Sequence, residues 1–180
     1  MRQAHCQIKQ NGSLDFAGSI WYKLIMRVLF TNTGSWGTGA GTVIDGVAAE
    51  LIALGHEVKI ILPDAGQPSA DFDKYYYNPE LYHIIRFPTT HKGITFETFP
   101  LMIADPNPRS PNARTYSDLT DDELDALSDL FAVEFTNMLD EFKPDIVESE
   151  HVWLMGYIFS KLSVPYVVGC LLYTSDAADE

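Results

Sequence analysis

Two short stretches of this chain hold residue types that could do chemistry. The first is Thr33-Gly34-Ser35-Trp36-Gly37-Thr38-Gly39-Ala40-Gly41, with four glycines in nine residues. Glycines let backbone amides approach a ligand, and a helix starting after such a turn offers unpaired N–H groups and the positive end of its dipole. A phosphate or a sugar hydroxyl suits that position; the alternative is a turn with no ligand. The pattern Gly37-x-Gly39-x-Gly41 misses the GxGxxG dinucleotide fingerprint by one position. No Lys-Ser/Thr pair follows it, which excludes a P-loop.

The second stretch is Glu148-Ser149-Glu150-His151. A carboxylate beside an imidazole serves acid–base chemistry or recognition of a polar substrate. Glu150 and His151 are the candidate binding residues here, with Gly37, Gly39 and Gly41 from the first stretch. The alternative for His151 is a helix-cap or packing role. A metal is the weaker reading, because no third ligand of matching spacing is visible. The acidic group Asp118, Asp121, Asp122 and Asp125 falls at a helix start, where the dipole favours negative charge, and reads as capping and solvated surface. His56 sits in a Gly-His-Glu-Val turn on the opposite edge and reads as structural.

The elements that must position these groups follow from periodicity. Arg27 to Asn32 is a short β-branched and aromatic run that stops at the glycine-rich turn. Val43, Val47, Leu51 and Leu54 then recur at helical spacing, and Gly55 supplies a left-handed stop. Glu57 to Leu62 is the next strand, closed by Pro63-Asp64, which completes a βαβ unit. Tyr82–Phe87 and Ile94–Phe99 read as strands separated by Pro88 to Gly93, and Asp105 to Thr115 reads as a loop. Thr120 and Glu123 form a capping box before a helix carrying Leu124, Leu127, Phe131, Phe135, Met138 and Phe142, which ends ahead of Pro144. Asp145 to Val147 is a further strand, followed by a helix through Trp153, Tyr157 and Leu162, and Pro165 to Gly169 reads as a short buried strand. Both site stretches therefore fall at the carboxyl edge of one α/β sheet, a parallel sheet covered by helices on both faces.

Composition narrows the function. The 180 residues carry 12 Lys plus Arg against 25 Asp plus Glu, a net charge of −13. Duplex binding and adhesion to an anionic membrane need clustered cations that this chain lacks. The two cysteines, Cys6 and Cys170, form no metal pair or disulfide framework. The apolar run Ser19–Phe30 is broken by Lys23 and Arg27 and is short of the ~20 residues a membrane span needs. The chain reads as cytoplasmic. Residues 1–25 show no period and carry three cations against one anion, so they read as an upstream extension or a disordered arm, with Met26 as the functional start. Residues 170–180 resemble translated sequencing-adaptor sequence; the alternative is a frayed acidic tail. Residues 26–169 are then a single, truncated domain.

Met26 to Asp64, MRVLFTNTGSWGTGAGTVIDGVAAELIALGHEVKIILPD, resembles the opening of family 4 glycosyltransferases. Lys143 to Val168 is similar to the later Pro-Asp-Val-Val-His-x-His strand and helix of that family, and Arg109 to Leu124 to a loop and helix start found in a subset. The resemblance implies the N-terminal, acceptor-side half of a GT-B architecture. It also implies a retaining, metal-independent transfer of a hexose from a nucleotide-diphosphate sugar to a hydroxyl acceptor, with no cofactor beyond that donor. The family's donor domain uses two glutamates eight positions apart, and no two glutamates here are so spaced. The fragment alone is therefore expected to be inactive, and peripheral membrane contact is left open for the parent. Where the family's His-x-His is common, this chain has Glu148-Ser149-Glu150 before His151, which weighs against an anionic acceptor. The competing readings are a nicotinamide-dependent Rossmann oxidoreductase, with Asp64 on the ribose, and a non-catalytic ligand-binding module.

Overall fold

Arg27–Thr31 (β3) is a strand because Val28, Leu29 and Phe30 suit a pleated surface, and it is central because both of its faces are apolar. Four of its five residues are buried. The computed structural model describes residues 12–14, 20–22, 25–32, 39–64, 78–99, 114–150 and 154–169. Within it, β3 lies between Glu57–Asp64 (β4) and Ile146–Ser149 (β8), in a five-stranded sheet of order β5-β4-β3-β8-β9. Tyr82–Arg86 (β5) and Tyr166–Val168 (β9) are its edges, and every pairing is parallel. The register sets Phe30 opposite Ile60 and Glu148, and Thr31 opposite Ile61 and Ser149.

One face of the sheet is covered by the helix Gly39–Ala53 (α1), through Val28, Phe30, Ile60 and Leu62 of the strands and Ile44 and Ala48 of the helix. This corrects the face expected from the sequence. Val43, Val47 and Leu54 are 38%, 45% and 59% exposed, whereas Ala40, Ile44 and Ala48 are buried. Both stripes have helical spacing, one residue or about 100° apart on the helix surface. The buried one wins because two alanines let the helix sit close on the sheet, an advantage that ranking by hydrophobicity hides. Gly55, at φ 88°, ends the helix as expected.

The other face is covered by Asp121–Phe142 (α2) and Met155–Lys161 (α3). Leu29, Ile61 and Val147 of the sheet pack there with Leu127, Phe131, Phe135, Met138, Met155 and Phe159. The Phe135 and Phe159 rings, 4.9 Å apart between centroids, join the two helices. The start of α2 is the expected capping box: the Glu123 amide donates to Thr120 Oγ1 at 3.3 Å, and the Thr120 amide donates to the Glu123 carboxylate at 2.8 Å. Arg114 grips the same carboxylate with both guanidinium nitrogens, at 2.7 and 3.0 Å. Those bonds, then the one from the Thr120 backbone, hold Glu123 down to about 2. Lys143 takes the left-handed conformation at φ 52° and closes the helix ahead of Pro144.

Four other expectations change. Thr89–His91 (β6) pairs with Ile94–Phe96 (β7) across Lys92 and Gly93, both at positive φ, so the stretch read as a connection is half of a hairpin. His91 and Lys92 hold that hairpin on α2 through Asp129, at 2.7 and 2.9 Å. β9 is an edge strand rather than a buried one, with Val167 49% exposed, because β8 is its sole neighbour among the described residues. Tyr157 of α3 is 57% exposed, and Ile158 and Phe159 take the core positions instead. Within the stretch read as aperiodic, Gly12–Leu14 (β1) and Ile20–Tyr22 (β2) pair as an antiparallel ribbon. The loop expected at Asp105–Thr115 and the tail at 170–180 lie outside the described residues, apart from Arg114 and Thr115.

The two stripes of α1 are separable by mutation. Ile44→Ala should lower stability by about 2–4 kcal/mol, and Val47→Ala by no more than ~0.5 kcal/mol. Urea unfolding midpoints measure both, and the reverse ranking would return the helix to the face read from the sequence.

Candidate functional site

A parallel sheet brings the carboxyl ends of all its strands to one edge, and here that edge is polar. Among the described residues, the buried polar or charged ones are Thr31, Asn32, Asp64, Ser149 and Glu150, and all five stand at strand carboxyl ends. Burying such groups is costly unless they are partnered or used.

Glu148 and Glu150 are two residues apart at the end of β8, so both side chains leave the strand on the side of Ile146, the side α1 covers. The ladder continues past the strand ends: the Glu150 amide donates to the Thr31 carbonyl at 3.3 Å, and the Gly169 amide to the Ser149 carbonyl at 2.7 Å. Gly169 therefore runs beside both glutamates. A Cβ placed on it would lie 3.3 Å from Glu148 Oε1 and 3.4 Å from Glu150 Oε2. The two carboxylates thus converge on one bare Cα, and the missing side chain is what leaves room between them.

Their electrostatics follow from that geometry. Burial pushes the Glu148 carboxyl up to about 7, with the neighbouring charge of Glu150 adding to the rise. Burial also raises Glu150. Glu148 Oε2 has no hydrogen-bond partner among the described residues. Near neutral pH the pair therefore holds both a proton donor and an acceptor.

Of the residues singled out from the sequence, Glu150 is at this edge and 7% exposed. Gly37 and His151 lie outside the described residues. Gly39 and Gly41 belong to the first turn of α1 and not to the preceding loop, a correction to the turn read through Gly41. A glycine run marks where a helix can begin without fixing which glycine begins it. Gly39 is exposed, and a Cβ there meets nothing within 4 Å; Gly41 is buried. Both still stand in the first turn of α1, at the sheet's carboxyl edge and at the positive end of the helix dipole. Asp64 is 1% exposed, which encloses the carboxylate that a ribose would have to reach. His56 accepts a hydrogen bond from the Met26 amide at 3.2 Å, at the amino edge, in keeping with a structural role. Asp118 is occupied by Thr115, whose amide and hydroxyl each donate to it at 2.7 Å.

Glu148 is the residue missed in the sequence. With the strand ending at Val147, Glu148 stands in the second stretch with nothing to pair it with Glu150. Extending the strand to Ser149 makes Glu148 and Glu150 same-face neighbours by period two. Among the described residues no three potential metal ligands converge, and no helix is long and apolar enough to cross a membrane.

Residues 38–179 match the model of the glycosyl transferase 4-like domain. No curated protein matches the chain. The five-stranded parallel sheet with helices on both faces is the Rossmann-like form expected of a GT-B N-terminal domain.

The raised Glu148 carboxyl makes a prediction for stability. Its folded value of about 7 lies above the ordinary 4.5, so the ionised form is the one the fold disfavours. The cost is absent below pH 4.5, grows as pH rises toward 7 and is complete above it. Glu148→Gln should therefore change stability little at pH 4 and stabilise increasingly through neutrality. The plateau should be about 1–2 kcal/mol, discounted from the full shift because the side chain keeps some contact with solvent. Urea unfolding across that pH range checks it; a difference that does not vary with pH would contradict the assignment.

Proposed function

Because the chain belongs to the glycosyl transferase 4-like family, we propose that it is the acceptor-side domain of an enzyme moving a hexose from a nucleotide-diphosphate sugar to a hydroxyl acceptor. The observation that carries this reading is the convergence of Glu148 and Glu150 over Gly169, on the edge and face where α1 begins. Carboxylates accept hydrogen bonds from sugar hydroxyls in pairs, and the start of α1 at Gly39 adds the positive end of its dipole from the other side. In this reading Gly37, Gly39, Gly41, Glu150 and His151 contact the acceptor or the transferred sugar, and Glu148 joins them.

The transfer itself needs donor and acceptor held in line, and in a GT-B enzyme the nucleotide sugar is held mainly by the second domain. The sequence holds no pair of glutamates eight positions apart to serve that purpose. The proposal therefore assigns acceptor binding to this chain and donor binding to a further domain, with no metal and no cofactor beyond the nucleotide sugar. Glu148, poised near neutrality, can accept a hydrogen bond from an acceptor hydroxyl or donate one to it, which positions that hydroxyl. A cytoplasmic location, where nucleotide sugars are available, belongs to the same reading.

Glucose is the simplest probe of this edge. Titrated into the isotope-labelled chain, it should shift the amides of Gly39–Thr42, Ser149–Glu150 and Gly169, and leave those around His56 unmoved. Gly39→Val should weaken that binding about tenfold while moving the melting temperature little, because its Cβ enters open space over the helix start. The chain should release no nucleotide from UDP-glucose or GDP-mannose when glucose is present. Shifts confined to the His56 edge, or robust acceptor-dependent nucleotide release, would overturn the reading.

A further inference from the structure

The carboxyl edge carries more negative charge than a neutral sugar requires. Glu150 is 7% exposed, and no hydrogen bond to its side chain is found among the described residues. Glu148 Oε2 is sealed and unpartnered among the same residues. The charge that acts on Glu148 is that of Glu150, with no described cation offsetting it. Two carboxylates thus border the same small space above Gly169, each within 3.4 Å of where a Cβ would stand.

Removing two like charges from water without a counter-charge is unfavourable, and none of the described residues supplies one. A ligand can. A neutral hydroxyl would donate a single hydrogen bond and leave the charge unbalanced. A phosphate or carboxylate would add a third negative group. A hard metal ion would find two carboxylates and no third ligand among the described residues, against the six to eight oxygens calcium takes. A protonated amine fits each requirement. It has only donors to offer, it can bridge two carboxylates at hydrogen-bond distance, and charge-assisted bonds of this kind are short and strong.

Resting on the acceptor-side reading above, we propose that the Glu148–Glu150 pair over Gly169 selects an acceptor bearing a protonated amine, an amino sugar or aminocyclitol, over its neutral and anionic counterparts. When the site is empty, a proton held on Glu148 relieves the repulsion. An arriving ammonium replaces that proton, so binding near pH 7 is coupled to proton release. The bare Cα of residue 169 is a condition of the selection, since any side chain there would occupy the space in which the ammonium sits.

The probes are glucosamine, glucose and glucose 6-phosphate, titrated at pH 7 into the full chain by calorimetry in two buffers of different ionisation enthalpy. Glucosamine should bind about tenfold more tightly than glucose, and glucose 6-phosphate most weakly. Glucosamine should release protons, seen as a buffer-dependent enthalpy, while glucose should release none. Glu150→Gln should erase the preference for the amine. Glu148→Gln, which relieves a burial cost, carries the same test if the first variant does not fold. Glucose binding at the Ser149–Gly169 edge with no preference for glucosamine would overturn this inference and leave the acceptor reading standing. Binding that ignores both variants and maps elsewhere would overturn the two together. Absence of glucosamine binding, or a preference for the phosphate, would also overturn it.

Discussion

The parallel pairing of β3 with β8 is the constraint on which the rest of this structure depends. It joins residues more than a hundred positions apart, and its register is held at the amino edge by a compact clamp. The Arg27 amide donates to Asp145 Oδ2 at 2.7 Å, the Asp145 amide donates to the Arg27 carbonyl at 2.8 Å, and the Arg27 guanidinium reaches the Phe142 carbonyl at 2.9 Å. A slip of one residue would turn Glu148 and Glu150 to the opposite face, against the aromatic side of the core, and would bring Val147 out of it. The site at one end of the sheet is therefore set by bonds made at the other.

The two faces of the sheet are built differently, and the difference reaches the site. The α2 and α3 side is filled by Phe131, Phe135 and Phe159 with long aliphatic partners. The α1 side uses Ala40, Ile44 and Ala48, small enough for the helix to lie close to β3 and β4. Close packing brings the start of α1 to the sheet's carboxyl edge on the same face as the two glutamates. Every buried polar or charged residue among those described is collected at that edge. Apart from the Tyr82 and Tyr116 hydroxyls the rest of the described interior is apolar, so the unfavourable electrostatics are concentrated where a ligand could offset them.

Much of the fold is legible in the sequence. The β-branched runs of β3 and β4, the Thr120–Glu123 capping box and the stop at Lys143-Pro144 are local signals, and local signals survive folding. Other features could not be read because they are decided by tertiary packing. Val43 and Val47 outrank Ala40 and Ala48 in hydrophobicity, yet helix-to-sheet distance selects the alanines. The β6 strand, Thr-Thr-His, has no apolar alternation, and its pairing rests on the positive-φ pair Lys92-Gly93 and on ion pairs to α2. The site was half legible: Glu150 was evident beside a strand, whereas Glu148 becomes visible only once the strand reaches Ser149 and Gly169 is laid alongside it.

The central claim is that Glu148 and Glu150 converge on Gly169 with a charge that no other described residue balances. Carbon-13 NMR of the two side-chain carboxyl groups, followed through a pH titration, tests it most directly. The account predicts that Glu148 titrates at about 7, that Glu150 titrates above the ordinary carboxylate range, and that each resonance also records the other's transition. Two independent titrations near 4.5, the ordinary value for a glutamate, would contradict it.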